Sequence, residues 1–387
     1  MVLDHLSPYR DFRSLRDPGE MPGADLRAWD GLVRDTSDLL RREHPVAHRM
    51  VTRTIRTLVP VEGQSPLRAV SASVPDAYGA VTVSRASDAS AFAATLIHEA
   101  RHQILTALAD LVPLFTPVRQ GPELAYFAPW REDARPLRGL LYGAHAFAGV
   151  ASYWRDRRAL DGERADFEFA LHRWQLQVAL GSLRNATGLT EVGGRVVAAI
   201  AESARDWWAE PVFGPPGQLA EMCCRDQWAT WRAVNLAVEV SEADELAGKW
   251  LAGSSPPPCL PAARAAVPRT HVPGGGARTW LARLWFSDRE AFGQVRAALD
   301  CGTLNPLGIT GATPADAAVV ADDTKDALVG YRKSAPGVDS WIGIGLADAR
   351  AAMLVERPEL VLALHMALLR RGVEPPGPEE LAEWLRL

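Results

Sequence analysis

Apolar residues recur at helical spacing through most of the chain. Over residues 25–58, Leu26, Trp29, Leu32, Leu39 and Leu40 line one face of helices interrupted at Pro45. The period changes over residues 69–84, where Val70, Val74, Tyr78, Val81 and Val83 are spaced like strands with a turn near Pro75 and Asp76. This predicts a small β element. Residues 91–110 form an Ala/Leu-rich run without Gly or Pro, which predicts a helix capped by Asp88 or Ser90 and ended before Pro113. Residues 114–136 are punctuated by Pro and read as a long loop. Pro136 opens a second helix, 137 to about 157, and further helical stretches lie near 164–185, 190–209 and 217–247. Their Trp174, Trp207, Trp208, Trp228 and Trp231 fall at helical spacings and read as core. Residues 252–278 hold a Ser/Pro run at 254–258 and three glycines at 274–276, the composition of a linker. Helical patterning then resumes, with an acidic, Ala-rich piece at 314–327 and a last pair of helices within 341–387. The pattern predicts a mainly α protein with a small β element and a polar leader over residues 1–25. Its expected organisation is a metal-binding catalytic domain over 1–250, a linker or exposed loop over 251–278 and a helical C-terminal domain over 279–387, suited to recognising a peptide or partner.

Composition narrows the class. The chain has 387 residues, 48% hydrophobic and 23% charged, which suits a globular protein with a sizeable core. A net charge of −5 favours neither nucleic acid nor an anionic membrane surface. Cys223, Cys224, Cys259 and Cys301 form no C-x-x-C, and the adjacent pair is poorly placed to bridge itself, so reduced thiols are expected. Residues 1–10 lack an apolar signal core, and no run has the length of a membrane span. The expectation is a cytoplasmic protein, which weighs against a secreted protease.

Candidate chemistry centres on His98, Glu99 and His102, an H-E-x-x-H within the predicted 91–110 helix. Four residues is about one helical turn, so both imidazoles leave one face and can begin a divalent metal site. The compact metzincin form needs a His six residues after His102, where Leu108 stands. For a downstream carboxylate ligand, Glu132, Glu163 and Glu168 are at eligible distances but in no distinctive context. His145 is the better third ligand, because Arg138, Tyr142, His145 and Gly149 share one helical stripe with room left by the glycine. His5, His44, His48, His172, His271 and His365 show no comparable setting. Zinc would make Glu99 the general base of amide hydrolysis. Fe(II) held by two His and one further ligand leaves room for a 2-oxoacid and O₂. A 2-oxoacid also needs a cation for its far carboxylate, and Arg131, Arg135 and Arg138 precede His145. The competing reading of these arginines is solvated surface charge.

Several linked segments resemble one family: Tyr78-Gly-Ala-Val-Thr-Val-Ser84, Leu96-Ile-His-Glu-Ala-Arg-His-Gln-Ile-Leu105, Asp110-Leu-Val-Pro-Leu114, Tyr126-Phe-Ala-Pro-Trp-Arg131 and Arg135-Pro-Leu-Arg-Gly-Leu-Leu-Tyr-Gly-Ala-His-Ala-Phe147. Over roughly residues 70–157 the chain is similar to the H-E-x-x-H peptide-modification proteins that accompany ribosomally made, post-translationally modified peptides (RiPPs). These are described as 2-oxoglutarate-dependent peptide β-hydroxylases. The segments Asp339-Ser-Trp-Ile-Gly-Ile-Gly-Leu-Ala347 and Arg357-Pro-Glu-Leu-Val-Leu-Ala-Leu-His365 resemble the tail found with cyclophane-forming radical-SAM maturases. The chain has no cluster-binding Cys triplet and is not itself such a maturase. The resemblance implies Fe(II), 2-oxoglutarate and β-carbon hydroxylation of a residue in a ribosomal precursor peptide, with a radical-SAM maturase as a candidate partner. It implies His98 and His102 as iron ligands, His145 as the candidate third, and Glu99 orienting a ligand or bound water. The arginines and Tyr142 are the candidates to hold 2-oxoglutarate. Two rival readings stand beside it: a cytoplasmic zinc metallopeptidase using Glu99 as base, and a noncatalytic protein that binds the precursor peptide.

Overall fold

Helix α1 (Gly23–Glu43) and helix α2 (Pro45–Thr54) meet at His44. Pro45 sits in the first turn of α2, where a missing N–H leaves no hydrogen bond unmade. The expected interruption is thus a boundary between two helices. The computed structural model describes residues 1–10, 17, 19–63, 69–117, 125–266, 276–334 and 337–386. Among them it contains fifteen α-helices and a small sheet, a mainly α protein with a minor β element. No helix of the described residues is long and apolar enough to cross a membrane.

The chain divides into two compact units, Met1–Glu123 with Leu137–Pro211, and Leu124–Pro136 with Val212–Leu387. The first holds the sheet, made of β1 (Val2–Leu3), β2 (Thr57–Pro60), β3 (Ser71–Ala72) and β4 (Ala80–Val83) in the order β1-β2-β4-β3. β1 and β4 each run parallel to β2, with Val2 opposite Thr57 and Leu58 opposite Val81. β3 is antiparallel to β4, with Ser71 opposite Val83. The expected turn at Pro75 and Asp76 is a 3₁₀ turn, Pro75–Ala77. The expected polar leader differs, because its start pairs into the sheet as β1 and its end opens α1.

Three helices complete this unit: α3 (Ala89–Leu111), α4 (Leu137–Arg184) and α5 (Glu191–Ser203). Asp88 caps α3, its Oδ1 accepting the Ala91 N–H at 2.9 Å. The two helices expected on either side of residue 160 meet at a kink, where Gly162 has φ 55° and ψ −132°. That left-handed φ is tolerated because glycine has no Cβ. Buried Arg157 locks the kink to its surroundings through Asp161, at 2.6 and 2.9 Å, and through Glu43 of α1.

The second unit is built from α6 (Pro215–Asn235), α7 (Val240–Leu251), α8 (Ala277–Ser287), α9 (Arg289–Asp300), α10 (Pro314–Val320), α11 (Thr324–Lys333), α12 (Val338–Ala347), α13 (Met353–Glu356), α14 (Pro358–Arg370) and α15 (Pro378–Trp384). A short ladder of Leu236–Ala237 with Arg264–Ala265 returns the chain to the end of α6. The boundary expected near residue 250 therefore falls inside this unit, and residues 267–275 of the expected linker lie outside the described residues. The reason is tertiary: Ala229 of α6 packs with Ile342 and Val355, and Asp244 of α7 pairs with Arg370 at 2.8 Å. A composition shift cannot report such pairings. Arg278, only 2% exposed, is the polar centre of the unit. Its guanidinium reaches Asp226 at 2.7 Å, Asp316 at 2.8 Å and Asp339 at 3.2 Å, and Tyr331 donates to Asp316 at 2.8 Å. Asp339 and Glu359, both in the tail segments singled out above, are thus held in ion pairs, Glu359 with Arg232 at 3.0 Å.

Candidate metal centre

Helix α3 sends its polar side chains in different directions. Glu99 and Gln103, four residues apart, form a stripe toward the sheet. Ser71 of β3 donates its hydroxyl to Glu99 Oε1 at 2.7 Å. Gln103 accepts the Gly79 N–H at 2.8 Å and donates to the Ala80 carbonyl at 2.9 Å, at the start of β4. These buried bonds set the rotation of α3 against the sheet. Burial pushes the Glu99 carboxyl above its usual range, against the hydrogen bonds from Ser71 and Ser73, and its Oε2 is buried without a partner.

His98 and His102 leave α3 together. Their Nε2 atoms lie 3.0 Å apart and their rings meet edge to face, centroids 4.6 Å apart. Metal–nitrogen bonds of about 2.0–2.1 Å at angles between 90° and 110° put two ligand nitrogens about 2.9–3.4 Å apart. The pair fits two positions of one divalent ion. Without an ion, the same contact is an N–H···N bond whenever one ring carries its proton on Nε2. Burial drives the His98 imidazolium well below its ordinary range, helped by the charges of His102 and His172. Burial alone lowers His102 to about 4. Both rings are neutral at pH 7, the form that binds metal.

The stripe read on α4 does face α3. Tyr142 stacks on His102 at 6.2 Å, and Phe147 meets His98 edge-on at 4.9 Å. His145 Nδ1 lies 3.0 Å from the Arg101 carbonyl, so Nδ1 holds the proton and Nε2 keeps its lone pair. His145 is lowered to about 4, first by burial and then by the Arg101 charge, with the bond to that carbonyl opposing. Its tautomer fits a ligand, because metal-binding imidazoles donate their other N–H in this way. The described residues nevertheless include no group of three or more His, Cys, Asp or Glu arranged to hold a metal ion. The pair is in direct contact, and His145 stands on the facing helix close enough for the His102 charge to act on it.

The arginines separate. Arg138 is exposed and lies over the rings of Tyr142 and Phe115, at 5.6 and 5.8 Å. Arg131 and Arg135 belong to the second unit, where both pair with Asp133, at 2.6 and 3.1 Å. The long loop that carries them is closed by a two-way backbone bridge between Tyr126 and Arg135, 2.8 and 2.9 Å.

The sequence set Glu168 and His172 aside and did not single out Arg101, yet the fold brings His172 close enough for its charge to act on His98. His172 stacks on Phe147 at 5.1 Å, and its Nε2 meets Glu168 at 3.2 Å. The four-residue spacing of Glu168 and His172 was the available signal. Arg101, inside the H-E-x-x-H itself, lies across Gly149: a Cβ there would come within 2.9 Å of Arg101 Nε and 3.0 Å of Ile97 Cγ2. The glycine therefore makes space for Arg101 rather than for an open ligand position. No family model matches the chain, and no curated protein matches it.

Proposed function

We propose that the first unit carries an Fe(II)- and 2-oxoglutarate-dependent peptide β-hydroxylase site, with His98 and His102 as metal ligands and a ribosomally made precursor peptide as substrate. The observation that carries this reading is the approach of two neutral Nε2 atoms to 3.0 Å on one rigid helix. Such a pair binds a divalent ion and leaves several positions for exchangeable ligands, which oxygenase chemistry needs. When bound, the iron supplies the oxidising chemistry that converts a C–H bond, O₂ and 2-oxoglutarate into C–OH, succinate and CO₂.

The protein's own residues prepare the site. His98 and His102 bind through Nε2, while Phe147 and Tyr142 flank their rings and limit water. His145, its Nδ1 proton held by the Arg101 carbonyl, presents a second nitrogen as acceptor. Glu99 fixes the helix to Ser71, which suits a positioning role better than hydrolysis. As a hydrolytic base it would have to act through Oε2, which is buried without a partner, while Oε1 stays on Ser71.

Anaerobic reconstitution with Fe(II), followed by a 2-oxoglutarate titration read by visible absorbance, tests the proposal. A charge-transfer band that appears with 2-oxoglutarate and is lost in His102→Ala is expected, as is succinate formed in step with one oxygen gained by the peptide. Tight stoichiometric zinc with no band would overturn it in favour of a metallopeptidase. Glu99→Gln would then abolish peptide cleavage while zinc stayed bound.

A further inference from the structure

Arg101 is a cation in an unusual position. It lies on α3 between His98 and His102, partly buried, with its Cγ and Nε against Gly149 of α4. Its Nε is shut off from solvent and has no hydrogen-bond partner. Elsewhere in this unit the inward-facing arginines are matched: Arg157 by Asp161 and Glu43, and Arg158 by Asp166 and Glu210. Among the described residues its Nε finds no acceptor, and its own carbonyl is held by His145 of α4. A guanidinium drawn into a protein needs an acceptor, and the planar fork of arginine matches a carboxylate. The position is also structurally determined. Any residue larger than glycine at 149 would occupy the path of the Arg101 side chain.

We propose that Arg101 is the receptor for a carboxylate beside the His98/His102 pair. This rests on the oxygenase reading for the identity of the occupant, the distal carboxylate of 2-oxoglutarate. The carboxylate chemistry does not depend on that reading, since a peptide C-terminus could supply the same group to a hydrolase. The assignment replaces Arg131 and Arg135, which share Asp133, and exposed Arg138, which lies over Tyr142 and Phe115.

The test compares binding of 2-oxoglutarate with 2-oxopentanoate, which has a methyl group in place of the distal carboxylate. Affinities are measured by calorimetry on the full chain loaded with Fe(II) under anaerobic conditions. The wild type is expected to prefer 2-oxoglutarate roughly 10- to 100-fold, the scale of a charge-assisted bond. Arg101→Gln is expected to erase that preference and leave 2-oxopentanoate affinity unchanged. Arg101→Lys, keeping charge without the fork, should retain part of it. A preference that survives in Arg101→Gln, or equal weakening of both acids, overturns the assignment. Should Arg101→Gln fail to fold, equal affinity of the wild type for the two acids still overturns it. If the wild type binds neither acid, the oxygenase reading fails, and trialanine and trialanine amide decide the carboxylate site on the zinc-loaded protein. Arg101-dependent binding of the free acid alone upholds the receptor, and its absence ends the proposal.

Discussion

At the scale of single residues, the pair His98 and His102 was legible from spacing, but its chemistry is set by burial. His102 and His145 are each lowered to about 4, against an ordinary value of 6.5. The unfolded chain therefore binds protons on these rings that the folded protein does not. Their contribution to stability is full above pH 6.5 and is lost progressively as the pH falls toward 4. The urea midpoint of the metal-free protein should fall across that window, and His102→Gln should flatten part of the slope. A slope unchanged by that substitution would show that the ring is already protonated in the fold. Glu99 is the second residue whose role its surroundings define. Glu99→Gln keeps an acceptor for Ser71 and should leave the midpoint nearly unchanged, whereas Glu99→Ala strands the hydroxyl and costs about 1–3 kcal/mol, read by urea denaturation.

At the scale of elements, caps and periodicity located α3 well, since Asp88 and the Ala-rich run are local signals. The way α3 meets α4 is not local. Gly149 was conspicuous in the sequence as space on a helical stripe, and the structure fills that space with Arg101 and Ile97. Gly149→Ala gains about 1 kcal/mol of helix propensity. It also places a methyl within 2.9 Å of Arg101 Nε and 3.0 Å of Ile97 Cγ2, and overpacking of this kind costs about 1–3 kcal/mol. The net expectation is destabilisation. Gly181→Ala is the control, on the same helix with nothing within 4 Å, and should stabilise by up to about 1 kcal/mol. Thermal denaturation of the two variants should shift the midpoint in opposite directions. At Gly162 the helical pattern on both sides was visible, but the positive-φ kink that joins the two helices was not.

At the scale of the whole molecule, the second unit depends on an internal charge arrangement. Three aspartates surround one guanidinium, so an unprotonated cluster would carry excess negative charge. Burial pushes Asp226 up to about 6 despite Arg278, with Asp339 and Asp316 adding to the rise. Here the sign is opposite to that of the histidines. The folded state keeps a proton that the unfolded chain gives up, so this contribution is present below about pH 4 and is lost as the pH rises through 6. Asp226→Asn should therefore be better tolerated at pH 7.5 than at pH 4.5, compared with wild type by urea denaturation at each pH. Arg278→Gln leaves the carboxyls without their cation and should cost about 3–5 kcal/mol at pH 7.5.

The sequence by itself determined the helical class, the small β element, the cap of α3 and the shared face of His98 and His102. Each follows from spacing within about a turn or from the preference of one side chain for one backbone position. Tertiary structure alone decided that residues 212–251 join the C-terminal helices, that residues 2–3 enter a sheet, and that Glu99 turns to Ser71. It also decided that Arg131 and Arg135 pair with Asp133 while Arg101 packs against Gly149 of α4. These outcomes depend on which residues distant in the chain become neighbours. That is settled by the burial of whole apolar faces against one another, and no local pattern encodes it.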